Sequence, residues 1–285
     1  MYIYLCNMTD LEQHFFEELH TFQSKNWTRA IDSKKIFCWI DNLFFILFPE
    51  KKIEIQQIVV LWKQSKIDFE IILSDICADL SKNEISEISE KFYKAVPTIY
   101  MALQKDAQAI LDTDPAADCI SEIINSYPGF LAIAFYRISN LISKFDINLL
   151  PRIISEYAHS KTGIDIHPKA KIDIPFIIDH GTGIVIGETC IIGKNVSIYQ
   201  GVTLGALQVD KSMQEKKRHP TVEDHVIIYA NATILGGSTV IGNNSVIGGN
   251  TFITKSINPF SMVMQANKNN IINQTENQDI NFFSI

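Results

Sequence analysis

The run Asp179-His180-Gly181-Thr182-Gly183 sets an imidazole beside a carboxylate within a stretch otherwise rich in isoleucine and glycine. Imidazole exchanges a proton near neutral pH, and a polar residue that interrupts an apolar row often marks a functional site. Asp165 lies fifteen residues earlier, in Ile164-Asp165-Ile166-His167-Pro168. A carboxylate accepting from one ring nitrogen fixes the tautomer and raises the basicity of the other. His180 and Asp165 are therefore a candidate general-base dyad. The plainer reading of His180 is a structural histidine, and Asp165 is what weighs against it.

Whether the two meet depends on how the chain coils. From Ile166 an aliphatic-type residue recurs at every sixth position: Ile166, Ile172, Ile178, Ile184, Cys190, Val196, Val202. A second file runs Ile186, Ile192, Ile198, Leu204, with glycines following at Gly187, Gly193 and Gly205. The beat resumes at Val222, Ile228, Ile234, Val240, Val246 and Phe252. Six is not a multiple of 3.6, so no helix produces this pattern. Period six with small residues at the corners predicts a left-handed parallel β-helix. Each hexapeptide forms one side of a triangular coil and points its aliphatic residue inward. Three sides make a coil of about eighteen residues. That places Asp165 within a few residues of the spot stacked against His180, itself expected in the file of Ile174, Ile186 and Ile192. The polar stretch Ala206–Lys217 does not keep the beat and predicts an extruded loop ending at Arg218-His219-Pro220. Loops on rigid scaffolds are common carriers of function.

The preceding half reads as helical. Thr9–Phe22, Ile55–Lys66 and Ile85–Leu103 space apolar residues by three and four. Asp114-Pro115 looks like a helix start, Tyr127-Pro128-Gly129 like a break, and Phe130 to about Phe145 like a further helix. The apolar run Phe37–Phe48, interrupted by Asp41 and Asn42, is well short of the roughly 20 residues that span a bilayer and predicts a buried helix. This half shows no glycine-rich phosphate loop and no metal-ligand cluster. The expected class is α + β: a helical domain over 1–160, a β-helix over 161–262 and a flexible tail over 263–285. A net charge of −7 argues against a general nucleic-acid binder. Cys6, Cys38, Cys77, Cys119 and Cys190 are scattered and odd in number, without CxxC spacing, which suits a reducing, cytoplasmic setting. The N-terminus lacks the pattern of a signal peptide.

Taken in order, Asp112-Thr-Asp-Pro-Ala-Ala117, Asp165-Ile-His-Pro168, Asp179-His-Gly-Thr-Gly183, Ile184-Val-Ile-Gly-Glu-Thr189, Gly201-Val-Thr-Leu-Gly205 and Arg218-His-Pro220 resemble bacterial serine O-acetyltransferase. The resemblance covers the β-helix nearly end to end and reaches into the helical half. It implies transfer of the acetyl group of acetyl-CoA to the hydroxyl of L-serine, giving O-acetyl-L-serine and CoA, the first step of cysteine biosynthesis. By that resemblance His180 removes the hydroxyl proton, Asp165 orients His180, and the oxygen attacks the thioester directly. Asp114 and Asp179 would hold the substrate ammonium, and Arg218 and His219 its carboxylate. A zwitterion needs anions at one end and a forked cation at the other. Plainer readings stay open: Asp114 as a helix cap, Arg218 as an exposed loop charge, His219 as a structural residue.

The resemblance also places pantetheine along Gly205, Ala206, Ala230 and Gly248. Lys211, Lys216 and Lys217 are candidates for the CoA phosphates, or else simply solvated loop lysines. The Ala206–Lys217 loop is longer than the family's glycine-rich stretch there. Ile285, ending a tail, would dock into O-acetylserine sulfhydrylase, and L-cysteine would inhibit at the serine site. The expected assembly is a homotrimer or a dimer of trimers with sites in the clefts between prisms, and no metal, nucleic acid or membrane is expected to take part. Three alternatives remain at this point. They are an O-acetyltransferase of a sugar or antibiotic hydroxyl, a zinc carbonic anhydrase of the same fold using His219 and His225, and a catalytically inactive partner subunit.

Overall fold

The computed structural model describes residues 9–26, 31–147, 149–207 and 216–265; Cys6, Lys211 and Ile285 lie outside them. Among the described residues, seven helices come first: α1 (Asp10–Asn26), α2 (Ser33–Leu47), α3 (Ile55–Ile76), α4 (Lys82–Thr113), α5 (Ile120–Ser126), α6 (Pro128–Ser143) and α7 (Leu149–Thr162). Their starts follow local chemistry. Asp32 accepts from the Lys34 and Lys35 N–H groups ahead of α2, and Ser81 with Glu84 forms a reciprocal capping box at α4. The apolar run expected as a buried helix is α2, with Ile36, Trp39, Ile40 and Leu43 buried. Trp39 stacks on Phe69 at 4.9 Å and donates from Nε1 to the Ser65 carbonyl at 3.1 Å. No described helix is long and apolar enough to cross a membrane.

Asp114-Pro115, expected to open a helix, instead closes one. Asp114 is the C-cap of α4, and α5 begins only at Ile120. A residue before proline is pushed out of the helical region, so α4 stops there.

After α7 the chain winds into a prism of three parallel sheets. The first stacks β1 (Asp165–Ile166), β4 (Val185–Ile186), β7 (Thr203–Gly205), β10 (Thr233–Leu235) and β13 (Phe252–Ile253). The second stacks β2 (Lys171–Ile172), β5 (Ile191–Ile192), β8 (Thr221–Val222) and β11 (Val240–Ile241). The third stacks β3 (Phe176–Asp179), β6 (Val196–Tyr199), β9 (Ile227–Ile228), β12 (Val246–Ile247) and β14 (Met262–Val263). Ile166, Ile178, Ile186, Ile192, Ile198, Leu204, Val222, Ile228 and Ile234 point inward, as the six-residue beat predicts.

The coils are not uniform, and this corrects two expectations. The first coil takes twenty residues, since Asp165 pairs with Val185, and Val185 then pairs with Thr203 after eighteen. The surplus lies at the corner after β3, where Asp179 still pairs with Tyr199 but Gly201 N–H donates to the Thr182 carbonyl. Residues 180–182 therefore bulge from the corner, and neither Ile174 nor His180 joins the inward file. Later, Thr221 pairs with Val240 after nineteen residues. From there Ile241, Ile247 and Ile253 face the core, and Phe252 is exposed.

The helical half is seated on the first coil. Buried Arg137 of α6 donates to both oxygens of buried Asp106 of α4 at 2.6 and 2.7 Å, and to the carbonyls of Ile172 and Asp173. The Phe176 N–H donates to Asp106 at 2.9 Å. Gly129 lets α6 approach β3 so closely that a Cβ there would lie 2.6 Å from the Ile178 carbonyl oxygen. Helices and prism thus share one continuous apolar core.

Candidate active site

The sequence-predicted residues gather at the two opposite edges of the first sheet. At the edge where the third sheet turns into the first, the bulge after β3 carries His180 at a φ of 56°. Its side chain is 70% exposed, with Nε2 3.8 Å from the Asp179 carboxylate. Asp114 reaches the same edge from the end of α4. Its Oδ2 accepts from the Tyr127 hydroxyl at 2.6 Å and its Oδ1 from the Ala116 N–H at 2.8 Å. The Tyr127 bond, aided by Ala116 and by the nearby His180, holds the Asp114 carboxyl below the usual range. The same bond pushes the Tyr127 phenol up to about 12, so it stays a donor. Tyr199, above Asp179 in register, packs its ring at a tilt against Tyr229, centroids 5.1 Å apart, and feels the charges of Asp179 and Asp114. This edge offers two carboxylates and an open imidazole.

The edge where the first sheet turns into the second is built differently. Arg218 donates to Glu188, which also faces Lys169 at 3.5 Å. His219 is only 8% exposed. Its Nδ1 lies 3.1 Å from the Thr189 N–H and 2.9 Å from the Thr189 hydroxyl. Burial pushes His219 down to about 4, with Arg218 and Lys217 adding to the effect. His167, from the coil below, is likewise pushed to about 4 by burial, and its Nδ1 accepts from the Lys169 N–H at 3.1 Å. This edge offers a guanidinium and neutral imidazoles.

Other expected residues fall elsewhere. Asp165 stacks on Val185 rather than on Gly183, where an eighteen-residue coil would have put it, and so lies farther along the sheet from His180 than expected. Burial raises its carboxyl above the usual range, and the charges facing it are Glu156, His159 and Arg152 of α7. Gly205 and Ala206 sit at the Arg218 edge, while Ala230 and Gly248 follow β9 and β12 at the His180 edge. Lys217 Nζ turns inward to the carbonyls of His219 and Pro220. His225 stands on a third corner, between β8 and β9, and among the described residues no group of three His, Cys, Asp or Glu could hold a metal. Tyr127, Tyr199, Glu188, Thr189 and His167 were not singled out from sequence. Only the quoted motifs Ile184–Thr189 and Asp165–Pro168 pointed at three of them.

The chemistry of the two edges suits a small zwitterion with a nucleophilic group. Residues 68–134 match the family described as serine acetyltransferase, N-terminal, and residues 183–206 and 221–255 match the hexapeptide repeat of succinyl-transferase. A serine acetyltransferase (plasmid) of Synechococcus elongatus is 49% identical over 150 residues, 51% of this chain and 47% of that protein. The chain spans about half the length of the curated relatives it matches. Serine acetyltransferase 1 of Entamoeba histolytica, solved in complex with L-cysteine, has a TM-score of 0.73 at 32% identity, covering 83% of this chain and 88% of its own. The serine acetyltransferase of Neisseria gonorrhoeae, solved in complex with serine, has a TM-score of 0.57 at 26% identity, covering 85% and 98%. The likeness to the Entamoeba protein extends over 88% of that chain at 32% identity, so this chain belongs to the serine acetyltransferase family.

Proposed function

We propose that the protein transfers the acetyl group of acetyl-CoA to the hydroxyl of L-serine, in a site completed by a second copy of the chain. The observation that carries this is the division of charge between the two edges. Asp114 and Asp179 stand at one, Arg218 and the Nε2 face of His219 at the other, and the first sheet separates them. An ammonium and a carboxylate on one α-carbon need both ends close together. In a closed ring of three or more copies each contact is heterologous, and such a ring would set one edge of each prism against the opposite edge of the next.

In that cleft His180 takes the hydroxyl proton as the oxygen attacks the thioester carbonyl. The leaving thiolate of CoA then receives a proton, and the acetyl group remains on oxygen. Ala230 and Gly248 of one copy and Gly205 and Ala206 of the next would then line one slot, and small residues there would leave room for a pantetheine arm. Asp165 would orient His180 only from a position this single chain does not give it. L-Cysteine, which differs from serine by one atom, would fill the same pocket and inhibit. The sulfhydrylase partnership expected of Ile285 is proposed on the same footing, and mass measurement of the mixed proteins tests it.

The test uses two inactive variants, His180→Asn and Arg218→Ala, assayed for serine-dependent CoA release. Co-assembled in equal amounts, they should regain about a quarter of wild-type activity, because that share of clefts pairs two intact edges. No recovery overturns the shared site. CoA release with sugars alone, and none with serine, overturns the substrate.

A further inference from the structure

We propose that Thr189 is a positioning residue: it locks the buried His219 ring as a neutral hydrogen-bond donor, with its hydrogen on Nε2, for the carboxylate end of the substrate. The proposal rests on the serine reading above and adds how that half of the site is kept ready.

The Thr189 hydroxyl oxygen accepts two backbone N–H groups, from Arg218 at 2.9 Å and His219 at 3.0 Å. With its acceptor sites so used, its own hydrogen is left for His219 Nδ1, 2.9 Å away. The Thr189 N–H reaches the same nitrogen at 3.1 Å. A ring nitrogen that accepts from two donors has no room for a hydrogen, so the hydrogen-bond network assigns the neutral ring's proton to Nε2.

The ring is also held from below. It lies flat over Gly187, where a Cβ would come within 2.1 Å of Cδ2 and 2.2 Å of Nε2. The charged groups facing it agree with a neutral ring. Arg218 and Lys217 oppose protonation, Glu188 favours it, and burial dominates, setting the ring at about 4. A neutral donor adds a hydrogen bond beside Arg218 without repelling the guanidinium. His167 offers an internal contrast: its Nδ1 accepts from one backbone N–H, of Lys169, and from no hydroxyl among the described residues.

The experiment is solid-state 15N spectroscopy of the full chain labelled at histidine, with His219 identified by the signal lost in His219→Asn. His219 should show a bare Nδ1 and a protonated Nε2, unchanged from about pH 5 to pH 8. Thr189→Ser should keep both the spectrum and the kinetics. Thr189→Val should admit hydrogen onto Nδ1 in part of the molecules and raise KM for serine about tenfold. It should leave KM for acetyl-CoA within about threefold. A hydrogen resident on Nδ1 overturns the proposal, as does a His219 that titrates in the ordinary histidine range. So does a Thr189→Val protein with wild-type spectrum and wild-type KM. Should Thr189→Val fail to fold, the wild-type spectrum and the Thr189→Ser variant still decide. The spectrum needs no substrate, so an absence of serine turnover with the expected tautomer counts against the serine reading alone.

Discussion

His180 and His219 stand at opposite edges of one sheet, and the chain surrounds them in opposite ways. His180 rides a bulge of surplus residues, 70% exposed, with no hydrogen bond closer than an approach of 3.8 Å to Asp179 among the described residues. His219 is 8% exposed, held at Nδ1 by Thr189 and seated over Gly187. A base must swing between accepting and releasing a proton, and a binding donor must not. On the proposed function the open edge suits the first task and the closed edge the second. The helices lend side chains to the open edge through Asp114 at the end of α4 and Tyr127 ahead of α6, while at the closed edge Asn140 and Tyr136 of α6 donate to the backbone carbonyls of Pro168 and Ala170.

The sharpest way to break this contrast is His180→Asn. Asparagine already occupies positive φ at Asn231 and Asn250, so the bulge should keep its shape while the base is lost. The expected loss in kcat is about 10²–10⁴-fold, with KM for serine little changed. A variant that retains more than about a tenth of wild-type kcat would remove His180 from the proton transfer.

Next in size is the latch that ties α4 and α6 to the first coil. Arg137→Met leaves Asp106 buried without its guanidinium, which should cost about 3–5 kcal/mol of stability in thermal or denaturant unfolding. Because α4 carries both Asp106 and Asp114, the folded fraction should bind serine less tightly, while the His219 tautomer stays as it was. An equal disturbance of both edges would show that they are not separately built.

How far the sequence anticipated this architecture differs from element to element. The inward files are legible because a period of six has no other source. The shift after Ile234 is not, since Val240-Ile241, Val246-Ile247 and Phe252-Ile253 are apolar at both positions and a register slip of one leaves no mark. His180 was legible as a break in the pattern, although the break is a bulge and not a substitution within the file. Asp165 was placed by assuming a coil of eighteen residues, and the surplus corner that displaces it is the very feature that exposes His180. Thr189 and Gly187 stood in a quoted motif, yet their task depends on His219, thirty residues on from Thr189 and beyond the extruded loop, where no local pattern reaches. Tyr127 read only as part of a helix break, because its bond to Asp114 is a matter of how α4 and α6 meet.

The closed edge is tested by Gly187→Ala. The added methyl collides with the His219 ring and must displace it, since the ring's other side is tied to Thr189. Displacement of about 1 Å is enough for a loss near 10²-fold in kcat/KM for serine. Acetyl-CoA binding and the His180 edge should be spared.

The smallest effect expected separates the two edges by pH. Tyr127 is the largest cause holding Asp114 below the ordinary carboxylate range. A depressed folded-state pKa means that Asp114 keeps its charge to lower pH than a free carboxylate would. Whatever that charge contributes is present above the unfolded value and lost as pH falls through the folded one. In Tyr127→Phe the depression largely disappears, so KM for serine should begin to climb at a higher pH than in the wild type. At neutral pH Asp114 is ionised in wild type and variant alike, so the change should stay within about threefold. The His219 edge contributes no limb to the same profile above about pH 5, because its ring is already neutral there. A Tyr127→Phe profile superimposable on wild type would detach Asp114 from the ammonium, and the open edge would then rest on Asp179 alone.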